Sequence, residues 1–390
     1  EAEAQGVPVV ALAPTASAAL VLGGALGTRG DTVARHLVAP ARSSAAQPTA
    51  WIVDEASLLS ARDTARLFAF AEERGARIFL VGDVQQLGSV EAGAAFAQLQ
   101  SAGMETARLT EIVRQSNAAT KAAVLAAIEG DARAAFAALD RGGGQIIEQP
   151  DRRARFAEIA TRYADLDQKD RARTIIIEPS REGRDQLTAD IRGALLRAGA
   201  LHGPRLAIRS LVNKGLTRAE ARDAQSYEKG DIICFGRDFA DKGVARGATY
   251  RVERIDSEKA AVLLSSDEGR LVDWRLRQWG TAAAQSFVPQ ALDIRLGEQI
   301  RFTRNDRGAG RVNGMRAQVI AIDPAGQAMT VETLSGARQR LAFDAGRDQH
   351  IAHAYVDTAF AAQGRTADHV IVHADSRATN LVDQKSFYVA

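Results

Sequence analysis

Apolar positions follow two patterns along the chain. Up to about residue 198, and again at 368–375, short continuous apolar runs alternate with segments of helical spacing. The runs VPVVALAP (7–14), AWIVDEA (50–56), RIFLVGD (77–83), RTIIIEPS (173–180) and DHVIVHAD (368–375) read as buried strands. The small-residue segment TASAALVLGGAL, residues 61–74 with Leu67, Phe68 and Phe70, the stretch 116–140 and the amphipathic stretch 181–198 predict helices. Strands separated by helices of this length imply parallel pairing with right-handed crossovers. Their near-continuous apolar character implies a sheet covered on both faces.

Near residue 228 the spacing shortens to two. KGDIICF, GATYRVERID, AAVLLSSDEG, GEQIRFTRND, AQVIAID, AMTVETLSG and QRLAF alternate apolar and polar positions between Gly, Asp and Asn turns. That pattern predicts small antiparallel barrels. KGDIICF and GEQIRF are alike enough to be equivalent strands of two such barrels, although no internal repeat is otherwise clear. The expected architecture is α/β, interrupted by a β-rich insertion, with divisions at 1–150, 151–225, 226–345 and 346–390.

Composition narrows the setting. Lys and Arg number 50 against 48 Asp and Glu, for a net charge of +2. A uniformly basic coat is excluded, so any anion-binding surface must be a local patch. The single Cys excludes an intrachain disulfide and a cysteine zinc cluster. Cys234, inside KGDIICF, is expected to be a small buried hydrophobe. No apolar run approaches the ~20 residues that span a bilayer, and no signal-peptide pattern opens the chain. The expectation is a cytoplasmic protein without membrane insertion or a disulfide partner.

The candidate chemistry lies where strands end. Asp54 and Glu55 directly follow Trp51-Ile52-Val53, and ligands of open α/β sheets bind at the carboxyl ends of strands. One acid can hold Mg²⁺ through water, and the next can orient or deprotonate an attacking water. The neighbouring strand ends Val81-Gly82-Asp83-Val84-Gln85-Gln86. A turn glycine, an acid and an amide at the same sheet edge can sense a terminal phosphate.

These segments resemble a known family. DEAS (54–57), GDVQQLGSVEAG (82–93) and LTEIVRQ (109–115) look like motifs II, III and IV of superfamily 1 helicases. ALAPTASAA (11–19) resembles motif Ia, and TVARHL (32–37) the adjoining single-strand-contact segment. HAYVDTAFAAQGRTADHVIVHAD (353–375) resembles motif V, and KSFYVA (385–390) the opening of motif VI. The resemblance spans the chain. It is strongest to the RecD-like branch, within it to the helicase half of conjugative relaxase-helicases of the TraI/TrwC (MobF) type, whose inserted barrels match the β-rich region.

That resemblance implies two RecA-like domains with ATP between them and a single DNA strand across both. Residues 1–150 would form the first; 151–225 and 346–390 would form the second, interrupted by SH3-like barrels. Asp54 would coordinate Mg²⁺, Glu55 would activate water, Gln86 would read the γ-phosphate and Arg114 would stabilise charge on the transferring phosphoryl group. Asp83 and Gly364 would join the nucleotide site. Pro14, Thr15, Thr32, His36, Thr358 and Gln363 would contact single-stranded DNA, mostly at phosphate and sugar. At 360 this chain has Phe where many relatives carry His; packing is the expected role and base stacking the alternative. Core packing is likewise expected for Trp274 and Trp279, with base stacking as the alternative.

One part of the pattern is missing. The chain has no Gly-Lys dipeptide, so no GxxxxGK[ST] phosphate loop occurs in it. The tail stops before the Ser-Arg pair that would follow in motif VI. Truncation at both ends is the expectation. So is weak or absent ATP hydrolysis by this piece alone, with a parent protein that translocates 5′ to 3′ along DNA. Other proteins of the conjugation machinery (relaxosome or type IV coupling components) are the expected partners. A RecD-like repair helicase and a non-catalytic single-strand-binding module are the alternative readings.

Overall fold

A computed structural model describes residues 6–38, 49–109, 115, 117–279, 284–343, 347–378 and 383–389. Strand β1 (Val9–Ala13) is followed by helix α1 (Ala16–Ala25), β2 (Gly30–Thr32) and α2 (Val33–His36). With β3 (Ala50–Val53), α3 (Ala61–Glu72) and β4 (Arg77–Leu80) they build a parallel sheet in the order β2-β1-β3-β4. Its core gathers Leu12, Val33, Trp51, Val53 and Leu67. The small residues of α1 have a packing reason. A Cβ on Gly30 would stand 1.6 Å from the Ala19 carbonyl oxygen, so helix and strand approach as only glycine permits. The chain winds from β1 to β2 and then back across to β3, which makes the gap between β1 and β3 the switch point where ligands of such sheets bind.

Helices α4 (Ala95–Ser101), α5 (Ala118–Ile128), α6 (Ala132–Arg141), α7 (Arg152–Asp165) and α8 (Gln168–Ala172) lead to β5 (Thr174–Ile177) and α9 (Arg181–Arg197). The expected continuous helix over 116–140 is two. It breaks at Gly130-Asp131, where Asp131 Oδ1 accepts from Ala134 N at 2.9 Å and caps α6.

After α9 the chain enters a second compact unit, Gly199–Ala354. It holds β6 (His202–Asn213), β7 (Ile232–Phe235), β8 (Thr249–Asp256), β9 (Ala261–Ser265), β10 (Leu271–Arg275), α10 (Leu276–Trp279), β11 (Ala284–Leu296), β12 (Gln299–Phe302), β13 (Arg316–Asp323), β14 (Ala328–Thr333), β15 (Arg338–Ala342) and β16 (Ile351–His353). These form two sheets, β10-β9-β8-β7-β11-β6 and β15-β14-β13-β12-β16, antiparallel throughout. The unit starts earlier than the change of sequence character near 228, because the long strand β6 pairs with β11 from Phe287 back to Leu296.

This unit is internally duplicated, with a spacing of 67 positions (299 minus 232). Strands β7 to β10 correspond to β12 to β15. The isolated bridge Phe239↔Val244 corresponds to Asp306↔Arg311. The bulge between Val252 and Arg254 recurs between Val319 and Ala321, and the left-handed residues Ala260 and Gln327 occupy the same turn. KGDIICF and GEQIRF are therefore equivalent strands, as their likeness suggested. Trp274 and Trp279 lie in the core of the first copy with Tyr227, Ile233 and Phe235. Cys234 is buried and free.

His350 gives this unit a pH dependence. Its ring stacks edgewise on Phe287 with centroids 4.8 Å apart, and its Nε2 lies 3.2 Å from Arg304 Nη1. Burial, then the Arg304 charge, pushes its pKa from 6.5 down to about 4. The unfolded chain takes a proton below 6.5 that the folded unit refuses until about 4. Stability is therefore expected to fall as pH drops through that window, by proton linkage. Urea midpoints at pH 7 and pH 5 should show the drop, and His350→Gln should flatten it; an equal drop in the variant would assign it to other groups.

The chain then returns to the first unit through β17 (Val356–Asp357), α11 (Ala359–Ala362), β18 (His369–Val372) and α12 (Gln384–Val389). A second parallel sheet, β17-β5-β18, results. All four residues of central β5 are buried. Strand β18, expected to be buried, lies at the sheet edge with Val370 44% and Val372 43% exposed. Edge strand β4 likewise leaves Phe79 and Val81 about half exposed. No helix among the described residues is long and apolar enough to cross a membrane.

Candidate active site

The carboxyl ends of β1, β3 and β4 carry the expected residues side by side. Parallel pairing sets this up: Asp54 N donates to Leu12 O at 2.9 Å and Val81 N donates to Val53 O at 2.8 Å, so the three loops leave one edge together. Asp54 Oδ1 accepts from Glu55 N at 2.8 Å. Glu55 itself lies in the left-handed region, φ 52 and ψ 39. A non-glycine residue there costs about 1–2 kcal/mol, a strain that recurs at functional sites. Ala56 N then bonds Val81 O at 2.8 Å, tying the acidic turn to the next loop. Gly82 fits beneath it, where a Cβ would stand 3.1 Å from Ala56 N.

Asp83 organises that next loop. Its Oδ1 accepts from Gln85 N at 2.9 Å. Its Oδ2 accepts from Gln86 Nε2 at 3.2 Å and from Tyr388 Oη at 2.8 Å. Asp83 thus holds the Gln86 amide in place. Tyr388 arrives on α12, which Gln384 pins to Ala127 O at 2.7 Å while Phe387 meets Phe136 at 5.1 Å. Tyr388 was not singled out from sequence; its only signal was a place in KSFYVA.

Motif V reaches the same acids. Gln363 Nε2 donates to Glu55 Oε2 at 3.0 Å. Gly364 takes φ +77, and a Cβ on it would lie 3.4 Å from Glu55 Oε1. Gln363, expected at DNA, is therefore in contact with the carboxylate expected to activate water. Arg114 lies outside the described residues.

The three expected threonines are all helix N-caps. Thr15 Oγ1 accepts from Ala18 N at 3.2 Å, Thr32 Oγ1 from Arg35 N at 3.3 Å and Thr358 Oγ1 from Ala361 N at 3.0 Å. A hydroxyl that accepts in this way keeps its own O–H to donate to a phosphate oxygen. Pro14, Thr15, Val33, Leu58, Val90 and Phe360 line one cleft of about 230 Å³, with Asp63 and Glu91 also on its wall. Phe360 is 40% exposed there. His36 packs inward instead, its ring edge-on to Trp51 at 4.4 Å and to Phe70 at 5.5 Å. Burial, then Arg74, lowers its pKa, which favours the neutral ring.

No group of three or more His, Cys, Asp or Glu able to hold a metal occurs among the described residues. A single strand-end carboxylate suits Mg²⁺, which keeps several waters and is commonly bound through one or two carboxylates plus phosphate oxygens. Asp54 meets that requirement. The glycine-rich amide cradle and lysine for the phosphates are absent from these 390 residues.

Comparison with known proteins gives the following likenesses. A family model described as "AAA domain" matches residues 1–150. The multifunctional conjugation protein TraI of Escherichia coli is 23% identical over 358 residues, covering 81% of this chain and 20% of TraI. The conjugal transfer protein TraA of Agrobacterium fabrum is 27% identical over 225 residues, covering 57% of this chain and 19% of TraA. The chain thus spans about a fifth of the length of the curated relatives it matches. Among solved structures, a Bacteroides Pif1 helicase in complex with ADP-AlF3 and ssDNA aligns at TM-score 0.39 and 13% identity, over 98% of this chain and 79% of that one. The Asp54-Glu55 turn, the Gly82–Gln86 loop and Gln363-Gly364 stand around one sheet edge, and the chain is similar to an AAA domain over residues 1–150 and to conjugation proteins such as TraI over most of its length.

Proposed function

We propose that this chain is the motor core of a cytoplasmic conjugative relaxase-helicase that uses Mg²⁺ and ATP to move 5′ to 3′ along single-stranded DNA. The observation that carries the reading is that Gln363 meets Glu55, 308 residues away in sequence, at the sheet edge where the Asp54-Glu55 turn is tied to the loop in which Asp83 holds Gln86. Mg²⁺, when bound, neutralises phosphate charge. Asp54 would hold it, Glu55 would take the proton of the attacking water, and Gln86, steadied by Asp83, would point its amide at the terminal phosphate. Arg114 would add charge stabilisation there, and Gly364 lets the backbone close on the nucleotide. The outer backbone edge of β4, the last strand of its sheet among the described residues, is where a strand bearing the phosphate loop would pair. Other proteins of the transfer machinery are the expected partners.

The experiment is ATP turnover by the full-length protein with and without oligo-dT, together with unwinding of duplexes carrying a 5′ or a 3′ single-stranded tail. Turnover should rise with DNA, and only the 5′-tailed duplex should open. The 390-residue chain alone should show no turnover; robust DNA-stimulated hydrolysis by it would refute the need for a supplied phosphate loop. A full-length protein that binds single strands in a salt-dependent way but never hydrolyses ATP would be a binding module instead.

The cleft beside Pro14 and Thr15 takes the DNA in this reading. Its apolar wall suits a base more than a phosphate. Stacking on one aromatic is worth ~1–3 kcal/mol per base. Phe360→Ala is therefore expected to weaken oligo-dT binding by about tenfold or more in fluorescence anisotropy. Unchanged affinity would return Phe360 to a packing role.

A further inference from the structure

We propose that Gln363 is a positioning residue that restrains Glu55, and that helix α11 releases this restraint when DNA fills the cleft. The inference rests on the ATP reading above and assigns the regulation of that same site.

Three contacts on one short element carry it. Helix α11 is a single turn whose N-cap is Thr358 and whose C-cap is Gln363. At one side Phe360 lines the cleft with Pro14 and Thr15. At its end Gln363 Nε2 holds Glu55 Oε2 at 3.0 Å. Four residues of helix are about 6 Å long, so a shift at Phe360 moves Gln363 with it.

The contact fixes the direction in which the Glu55 carboxylate points in this arrangement. A carboxylate that takes a proton from water needs a lone pair aimed at that water. Here an amide N–H occupies one oxygen of Glu55. The amide is also only half satisfied, because Gln363 Oε1 is buried without a hydrogen-bond partner among the described residues. Buried polar atoms without partners are costly, so an arrangement that gives Oε1 a partner gains free energy. Gly364, next to it at φ +77, supplies a left-handed backbone position that favours glycine. A second arrangement that frees Glu55 and satisfies both ends of the amide would make hydrolysis depend on DNA.

The test is ATP turnover by the full-length protein carrying Gln363→Met, which keeps length and loses the donor, and Gln363→Ala. Without DNA, turnover is expected to rise about tenfold, the rate equivalent of one hydrogen bond. With saturating oligo-dT it should rise far less, so the stimulation ratio, each rate taken at saturating DNA, falls by about the same factor. A merely structural role would lower both rates together and leave the ratio alone. That outcome, or an unchanged ratio, overturns the proposal while the ATP reading stands. Absence of turnover in the unmodified full-length protein overturns both.

Discussion

Glu55→Gln is expected to reduce DNA-stimulated ATP turnover of the full-length protein by about 10²–10⁴-fold, the usual contribution of a positioned general base. The substitution preserves shape. Gln at 55 can still accept from Gln363 Nε2, so the contact at 3.0 Å persists. What disappears is the carboxylate's capacity to take a proton. Nucleotide affinity should therefore stay within about threefold, because Glu55 is assigned no contact with Mg²⁺ or phosphate. Asp54→Asn should differ by weakening nucleotide binding in the presence of Mg²⁺. Single-turnover hydrolysis and fluorescent-nucleotide titration separate the two variants. Normal turnover in Glu55→Gln would show that another group takes the proton.

The second large effect concerns stability. Trp274→Ala should destabilise the β-rich unit by about 3–5 kcal/mol, the cost of removing a large aromatic from a core. Trp274 is 0% exposed and meets Tyr227 and Phe235 with ring centroids 5.4 Å away in each case. The duplication supports a packing role. Leu341 occupies the equivalent position, 67 residues on (341 minus 274), and is 0% exposed as well. A site built to stack bases would not accept an aliphatic side chain in its copy. Trp274 Nε1 is buried without a partner among the described residues. Trp274→Phe removes that N–H and keeps much of the ring, so it should cost well below the alanine variant. Urea denaturation reports the difference, and oligo-dT affinity below the transition should be unchanged. Weaker DNA binding by a still-folded Trp274→Phe protein would reopen the stacking role.

Much of the frame was legible in the chain itself. Apolar runs of four or five residues marked β1, β3, β4 and β5, since a central strand of a covered sheet must be apolar on both faces. The acids after β3 and the Gly82-Asp83 turn after β4 were legible because polar and turn-forming residues stand out directly after apolar runs. Exposure was less legible. The runs of β4 and β18 look as apolar as that of β5, yet both lie at sheet edges with about half-exposed valine or phenylalanine. Burial depends on neighbours that a run of residues does not name. The 67-residue duplication was visible only as two similar strands, because its shared constraints are inward apolar positions and turn conformations, which many residue types satisfy.

By itself, the sequence determined the parallel and antiparallel regions and the place of the acids at 54 and 55 after a strand, because local periodicity and strand-end residue types are properties of short segments. Tertiary structure decided the rest. It turned His36 onto Trp51, brought Tyr388 to Asp83, set Phe360 in the cleft with Pro14 and laid Gln363 on Glu55 from 308 positions away. Those pairings depend on how strands order themselves in a sheet and where one helical turn lands, and no local pattern of side chains encodes such distances.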